Sequence, residues 1–349
     1  MREMTEQLYD FDDLLIEPAV LSSIRSRSEI NVKNLYGYLP LMTAPMDTVV
    51  DENNFHLFSK HGILPVLPRV MNPSKDHFDV NMFLSYGLDD FKKMFLDTKI
   101  YVPDGSRIMA LIDVANGHMR DLYEMTKRAK TLYGYSMCLM VGNVANPNTF
   151  KEYCSIGVDM VRVGIGNGGG CLTTVQTGVG YPMASLIKEC NDIRKNGGFR
   201  TEIVADGGFK KYSDIIKALG LGADYVMLGS MLNKCLESAG ETSRENYETV
   251  NQYSKETNEM FMADIPLYKN FRGMSTKEVQ KSWGREDLKT SEGVVRRNEV
   301  NYTIESWVQN FEDYLRSAMS YSGKKELHHF IGGADFNFIS QNSFKRFSK

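Results

Sequence analysis

Through residue 235, apolar residues come in short, nearly unbroken runs. LPLMTAPM (39–46), GILPVLPR (62–69), DVNMFLSYG (79–87), RIMALIDV (107–114), YSMCLMVGNV (135–144), VDMVRVGIG (158–166), TEIVADGG (201–208) and ADYVMLGS (223–230) make eight of them. Runs without regular polar alternation mark strands buried on both faces. Between most of them the apolar positions recur at helical spacing, and 119–132 and 213–221 read as amphipathic helices. Eight buried strands with helical crossovers predict an α/β fold, a (β/α)8 TIM barrel. An open doubly wound sheet is the other arrangement of such units, but the first turn after a strand carries no dinucleotide fingerprint. After residue 235 the pattern changes. Residues 236–300 are polar, with breaks at Gly273 and Gly293, too long for an ordinary loop. They are expected to form an active-site lid, with a helix around Trp307 to Met319 closing the barrel wall. Without internal repeats or a low-complexity linker, residues 1–349 read as one domain.

In a barrel of this kind, catalytic residues sit at the C-terminal ends of the strands. Here those ends read Asp47-Thr48, Asp113 to Gly117, Gly142-Asn143, Gly164 to Cys171, Asp206 to Gly208 and Gly229-Ser230. Any strand must end in turn residues, but six polar or glycine-rich ends on one face point to a ligand site.

Composition narrows the class. Apolar residues make up 42% of the chain, enough for a full core, and the net charge of −3 argues against a dedicated nucleic-acid surface. No apolar run is long enough to span a membrane, and the acidic start MREMTEQLYDFDD is no signal peptide. Five widely spaced cysteines without a CxxC argue against a disulfide scaffold or a zinc site. The expected setting is a reducing cytoplasm.

The stretch GIGNGGGCLTT (164–174) carries the candidate chemistry. Glycines leave backbone groups free to face a ligand, and a thiolate is a strong nucleophile. Cys171 is therefore the candidate nucleophile, with Thr173 positioned to orient a leaving group or a water. Cys138 and Cys154, inside apolar runs, read as buried structural thiols. Carbonyls of the same loop suit a monovalent cation. The carboxylate of Asp206 suits a ribose diol, and the Gly229–Ser230 turn suits a phosphate. His328 and His329, in a basic C-terminal segment, read as surface residues.

GIGxGxxCxT, then TGVGYP (177–182), VADGG, ADYVMLGS and RGMS (272–275) occur in an order that resembles the IMP dehydrogenase/GMP reductase family, from YDFDDLLIEP to LRSAMSYSG. Strands two and three are too close to hold an inserted pair of regulatory domains. DVANG (113–117) and the segment ending in SEG (291–293) resemble the reductase branch, and 282–293 lacks the Arg-Tyr pair with which dehydrogenases activate water. APMDTV (44–49) and VADGG lean towards the dehydrogenase spelling.

The resemblance implies NADPH-dependent conversion of GMP to IMP and ammonia through a covalent cysteine adduct. It assigns catalysis to Cys171, Thr173 and Glu292. Substrate would be held by Asp206, Gly207, Gly208, Gly229, Ser230, Gly273, Met274, Ser275, Lys289, Thr290, Ser291 and Gly293. Cofactor would lie on Asp113, Val114, Ala115, Ile165, Gly166 and Met274. Ser26, Arg27, Arg69 and Ser317, Ala318, Met319 and Ser320 would be reached from a neighbouring subunit of a homotetramer. K⁺ would sit on Gly166, Gly168, Cys171 and Thr174. An IMP dehydrogenase without regulatory domains, a reductase of a modified guanine nucleotide and a non-catalytic nucleotide-binding protein stay open at this point. The chain also departs from the family pattern. Asn167 and Gly169 stand where proline and serine are usual, Gly170 replaces an aliphatic residue, and Leu172 replaces the first threonine. Lys289 replaces a lid arginine, and Arg69 a lysine of the reductases.

Overall fold

The computed structural model describes residues 7–69, 81–98, 100–274, 276–282, 290 and 293–347. Its centre is an eight-stranded parallel sheet: β1 (Leu41–Thr43), β2 (Val66–Leu67), β3 (Phe83–Tyr86), β4 (Ile108–Asp113), β5 (Met137–Val144), β6 (Met160–Val163), β7 (Glu202–Asp206) and β8 (Tyr225–Leu228). Neighbours follow chain order, and β8 returns to pair with β1. A parallel bridge between Met42 and Leu64 closes the ring between β1 and β2. All eight predicted strands are present, so the TIM barrel is the fold.

Alternation along the strands separates two cores. Met42, Leu64, Phe83, Leu111, Cys138, Met140, Met160, Val204, Tyr225 and Met227 fill the barrel interior. Their neighbours, such as Ile112, Val141, Val161, Ile203 and Val226, face the helices outside. Both sets are apolar, which is why the sequence shows unbroken runs rather than alternation.

The outer layer includes α1 (Phe55–Lys60), α2 (Arg120–Tyr133), α3 (Pro147–Ser155), α4 (Met183–Gly197), α5 (Tyr212–Leu221) and α6 (Ile304–Tyr321). Helix α6 starts at Thr303, whose hydroxyl caps the Ser306 N–H at 3.2 Å. It buries Trp307, Phe311, Leu315 and Met319 completely, one side chain per turn. Each such burial stabilises the fold by roughly 1.5–3 kcal/mol. Trp307 packs against Tyr212 at the start of α5, with ring centroids 5.3 Å apart, so α6 does close the wall.

Residues 236–300 hold more regular structure than their polarity suggests. Strands β9 (Thr242–Arg244), β10 (Thr249–Val250), β11 (Leu267–Arg272) and β12 (Val295–Glu299) form an antiparallel sheet in the order β10-β9-β11-β12. Leu236, Met260, Leu267 and Val300 give it a small core of its own. Asn233, at the end of the short helix Ser230–Asn233, ties it to the barrel: Nδ2 donates to Thr48 O at 2.7 Å and to Asn270 O at 3.0 Å. Asn298 on β12 donates to Asn233 Oδ1 at 2.7 Å. Lys269 on β11 is fully buried and donates to Ser238 O at 2.7 Å; burial pulls its ammonium down to about 7.

Candidate active site

The inward-facing register of the barrel ends in charge. Met109 and Leu111 lead to Asp113 on β4, Met160 leads to Arg162 on β6, and Val204 leads to Asp206 on β7. Arg162 sits between the two carboxylates, with Nη1 2.7 Å from Asp113 Oδ1 and Nε 3.0 Å from Asp206 Oδ2. Burial alone would weaken this cation, but the charges of Asp206 and Asp113 and their hydrogen bonds outweigh it and raise its pKa. Arg69, at the end of β2, adds a second cation: Nε lies 3.5 Å from Asp113 Oδ2, and Nη2 donates to the Asp113 carbonyl. Asn143 Nδ2 donates to both Asp206 Oδ2 and Gly164 O at 2.8 Å. Two cations and two carboxylates therefore alternate across the barrel mouth. The bonds to Asp206 converge on Oδ2, so Oδ1 has no hydrogen-bond partner among the described residues. That oxygen stays open as an acceptor. Sequence reasoning passed over Arg162. Its signal was there, since an arginine inside an apolar strand is rarely buried unless it is paired.

The cysteine loop follows β6. Cys171 is partly exposed, its N–H donates to Gly168 O at 2.9 Å, and Sγ lies 3.2 Å from Thr173 Oγ1. The other four thiols are buried. Burial pushes Cys138 up to about 12, Cys154 to about 11, and Cys190 and Cys235 well above the usual thiol value, so all four stay protonated at neutral pH. Of the five, only Cys171 combines access with a hydroxyl partner.

The small antiparallel sheet and the cysteine loop are joined through backbone. Cys171 forms an antiparallel bridge with Gly293, Val294 N–H donates to Gly170 O at 3.0 Å, and Gly273 N–H donates to Val294 O at 2.9 Å. A Cβ on Gly273 would lie 2.2 Å from Gly170 O, so this approach needs a glycine. Gly166 is left-handed (φ 78), and a Cβ there would meet Thr174 Oγ1 at 1.8 Å. That hydroxyl donates to Val179 O at 2.7 Å. Arg272 of the RGMS stretch pairs with Asp47 beyond β1, pinning the small sheet to a second strand end.

The remaining assignments fall into groups. Gly207 packs against Gly168, so the Asp206–Gly208 turn and the cysteine loop form one surface. Gly229 precedes the short helix that starts at Ser230, and both are partly exposed. Gly273 is buried, Met274 and Ile165 are partly exposed, and Thr290 is exposed. Val114 is buried and Ala115 exposed at the turn after β4. Ser26, Arg27 and Ser317–Ser320 form a separate cluster, tied by the Ser22 Oγ bond to Ser320 O at 3.1 Å and the Lys325–Glu29 pair at 2.7 Å. Met319 belongs to the core, so its side chain offers nothing to a ligand. Glu292, Ser275, Lys289 and Ser291 lie outside the described residues. His328 and His329 are exposed, as expected.

Residues 106–347 match the IMP dehydrogenase / GMP reductase domain. Among curated proteins, rat GMP reductase 1 is 30% identical over 95% of both chains. Human GMP reductase 2 is 30% identical, covering 91% of this chain and 90% of its own. GMP reductase of Vibrio vulnificus is 29% identical, covering 94% and 93%.

Proposed function

The chain belongs to the IMP dehydrogenase / GMP reductase family, and on that premise we propose that it is a GMP reductase, converting GMP to IMP and ammonia with NADPH as reductant. The observation that carries this reading is the pairing at Cys171. Its sulfur lies 3.2 Å from the Thr173 hydroxyl, and its backbone bridges Gly293, the residue after Glu292.

The Cys171 thiolate adds to C2 of the guanine and forms a C–S bond. The bond from C2 to the amino nitrogen then breaks, and that nitrogen leaves as ammonia after taking up a proton. Thr173 and Glu292 are the groups assigned to deliver it. NADPH, when bound, supplies the hydride that C2 accepts. The sulfur departs with its electron pair, leaving a C2–H bond in IMP. Splitting one displacement into two steps is the gain from a covalent nucleophile.

Asp206, Gly207 and Gly208 hold the ribose, with Asp206 Oδ1 on its hydroxyls. Gly229 and Ser230 hold the phosphate. Gly273 to Ser275 and Lys289 to Gly293 hold the base. NADPH fits the exposed turn at Ala115, where Asp113 is fixed by Arg162 and Arg69. Ser26, Arg27, Ser317, Ala318 and Ser320 would reach it from a neighbouring subunit of a homotetramer. The neutral oxygens of Gly166, Gly168, Cys171 and Thr174 suit K⁺ in donor chemistry. No group of three His, Cys, Asp or Glu side chains is placed for a metal among the described residues. No described helix is long and apolar enough to cross a membrane. The reading places the enzyme in the cytoplasm.

The test is incubation of the purified protein with GMP and NADPH. Absorbance of the reduced cofactor should fall while IMP and ammonia accumulate in equal amounts. Formation of XMP from IMP and NAD⁺ faster than this reaction would replace the reductase reading with the dehydrogenase one.

A further inference from the structure

We propose that Arg296, on the lid strand β12, binds the 5′-phosphate of the substrate nucleotide and occupies the space that a side chain at position 169 would fill. The proposal rests on the nucleotide reading above and adds a residue to it.

Arg296 faces inward. It is the cross-strand partner of Phe271, and its guanidinium lies over that ring, 4.8 Å from the centroid. Its Nη2 lies 3.2 Å from the position a Cβ on Gly169 would take. Its Nε is buried without a hydrogen-bond partner, and no ion pair or hydrogen bond joins Arg296 to another described residue. The contrast with its neighbour on the sheet is informative. Arg297 points the other way and is satisfied by Ser243 and by the carbonyl of Arg244. The head of Arg296 is only partly buried, and its terminal nitrogens lie beside the glycine loop with no acceptor among the described residues, free to donate to an anion bound there.

The surroundings say which anion. Phe271 brings a ring and no hydroxyl, and its edge lies in the spaces beside Gly170 and Gly229. Two residues along the same face of β12, Asn298 bonds Asn233 in the helix that begins at Ser230. Arg296 lies beside the cysteine loop and Asn298 bonds the helix that follows the Gly229–Ser230 turn, the segment read as the phosphate cradle. Neither Gly169 nor Gly229 has a side chain to offer, so the cradle otherwise holds only backbone donors and Ser230. A planar, permanently charged fork is suited to a phosphate dianion.

Equilibrium dialysis of GMP and of guanosine against the full-length protein tests this. Arg296→Met keeps an apolar stem over Phe271 and removes the charge. GMP should then bind about 10- to 100-fold more weakly, the size expected for lost bonds to a charged group. Guanosine, which has no phosphate, should bind as it does to the wild type. Arg296→Lys should fall between, since it keeps the charge without the fork. Gly169 lies outside the left-handed region, so Gly169→Ser is sterically allowed once the guanidinium is gone. Added to R296M, it should restore part of the GMP affinity through its hydroxyl. Equal weakening of GMP and guanosine would show that Arg296 only supports the lid, and unchanged GMP binding would show that it touches no phosphate. Either result overturns the assignment. Wild-type protein that fails to bind GMP would overturn the functional reading instead, a result visible before any substitution is made.

Discussion

The two mouths of the barrel use the same residue types for different ends. At the N-terminal mouth, Asp159 accepts from Lys130, from Arg107 and from the Leu139 N–H. Asp224 likewise pairs with Arg194 and accepts from the Ile203 N–H at 2.7 Å. Each carboxylate there closes the start of a strand by satisfying a backbone donor. At the C-terminal mouth, Asp113 and Asp206 are held by the side chains of Arg162, Arg69 and Asn143, and Asp206 keeps one oxygen open. The thiols divide the same way: Cys138 is sealed in the floor, while Cys171 is partly exposed beside a hydroxyl. A carboxylate that also satisfies strand backbone serves stability, and one held by side chains alone can serve a ligand.

The largest effect should come from the thiol that separates the mouths. Cys171→Ala is expected to abolish turnover, while thermal stability stays within about 0.5 kcal/mol because the site is not core. GMP should still bind, and mass spectrometry should lose the covalent adduct. Comparable turnover would remove Cys171 from the chemistry. Glu292→Gln should follow, with a loss of about 10²–10⁴-fold in ammonia release, the usual contribution of a general acid or base. A single-turnover experiment separates that step from hydride transfer, which should slow less; a loss under about threefold would reduce Glu292 to a base contact.

Next comes the shared cation. Arg162→Met leaves Asp113 and Asp206 facing each other without their bridge. Breaking a buried ion pair by removing one partner typically costs about 3–5 kcal/mol, so Tm should fall clearly, and kcat/KM for GMP should fall with it. A variant with wild-type Tm would mean the two carboxylates do not depend on Arg162. The matching change at the other mouth is Asp224→Asn, which keeps the shape and drops the charge facing Arg194. Denaturant unfolding should show a loss of about 1–3 kcal/mol, in the range for a buried charged hydrogen bond. The folded fraction should keep the kinetics of the wild type. A specific change in KM from Asp224→Asn would erase the division between mouths.

Legibility in the sequence followed the same division between regular burial and local exceptions. The eight strands were readable because both of their faces are apolar. The small antiparallel sheet was not, although β11 does alternate. Its inward positions are Leu267, Lys269 and Phe271, and the buried lysine breaks the apolar period. The inward positions of β12, Arg296 and Asn298, are polar outright. Both strands turn polar atoms inward towards partners at the barrel top, which no single-strand pattern can reveal. The cysteine loop was readable as chemistry but only partly as geometry. Several of its glycines admit other protein groups: Gly166 admits the Thr174 side chain, and Gly170 admits the Phe271 ring and Gly273. Glu292 was reachable only through the family resemblance, because a single acid in a polar stretch carries no pattern of its own.

The smallest expected effect is a pH dependence confined to the N-terminal mouth. Glu202 opens β7, and its carboxyl is pushed up to about 8, first by burial and then by the charge of Asp224, with Arg194 pulling the other way. Its value in the folded chain is above that in the unfolded chain, so folding takes up a proton between about 4.5 and about 8. The stability this gives is fully present below the unfolded value and is lost as pH rises through about 8. Glu202→Gln fixes the neutral form. The variant should therefore match the wild type near pH 4 and exceed it near pH 9, by roughly 2 °C in Tm given the partial exposure of the group. The pH profile of kcat/KM should not move, because Glu202 lies at the opposite end of the barrel from Cys171. A constant Tm offset across that range would mean that Glu202 does not titrate there. A shifted kinetic profile would mean that the two mouths are electrostatically coupled.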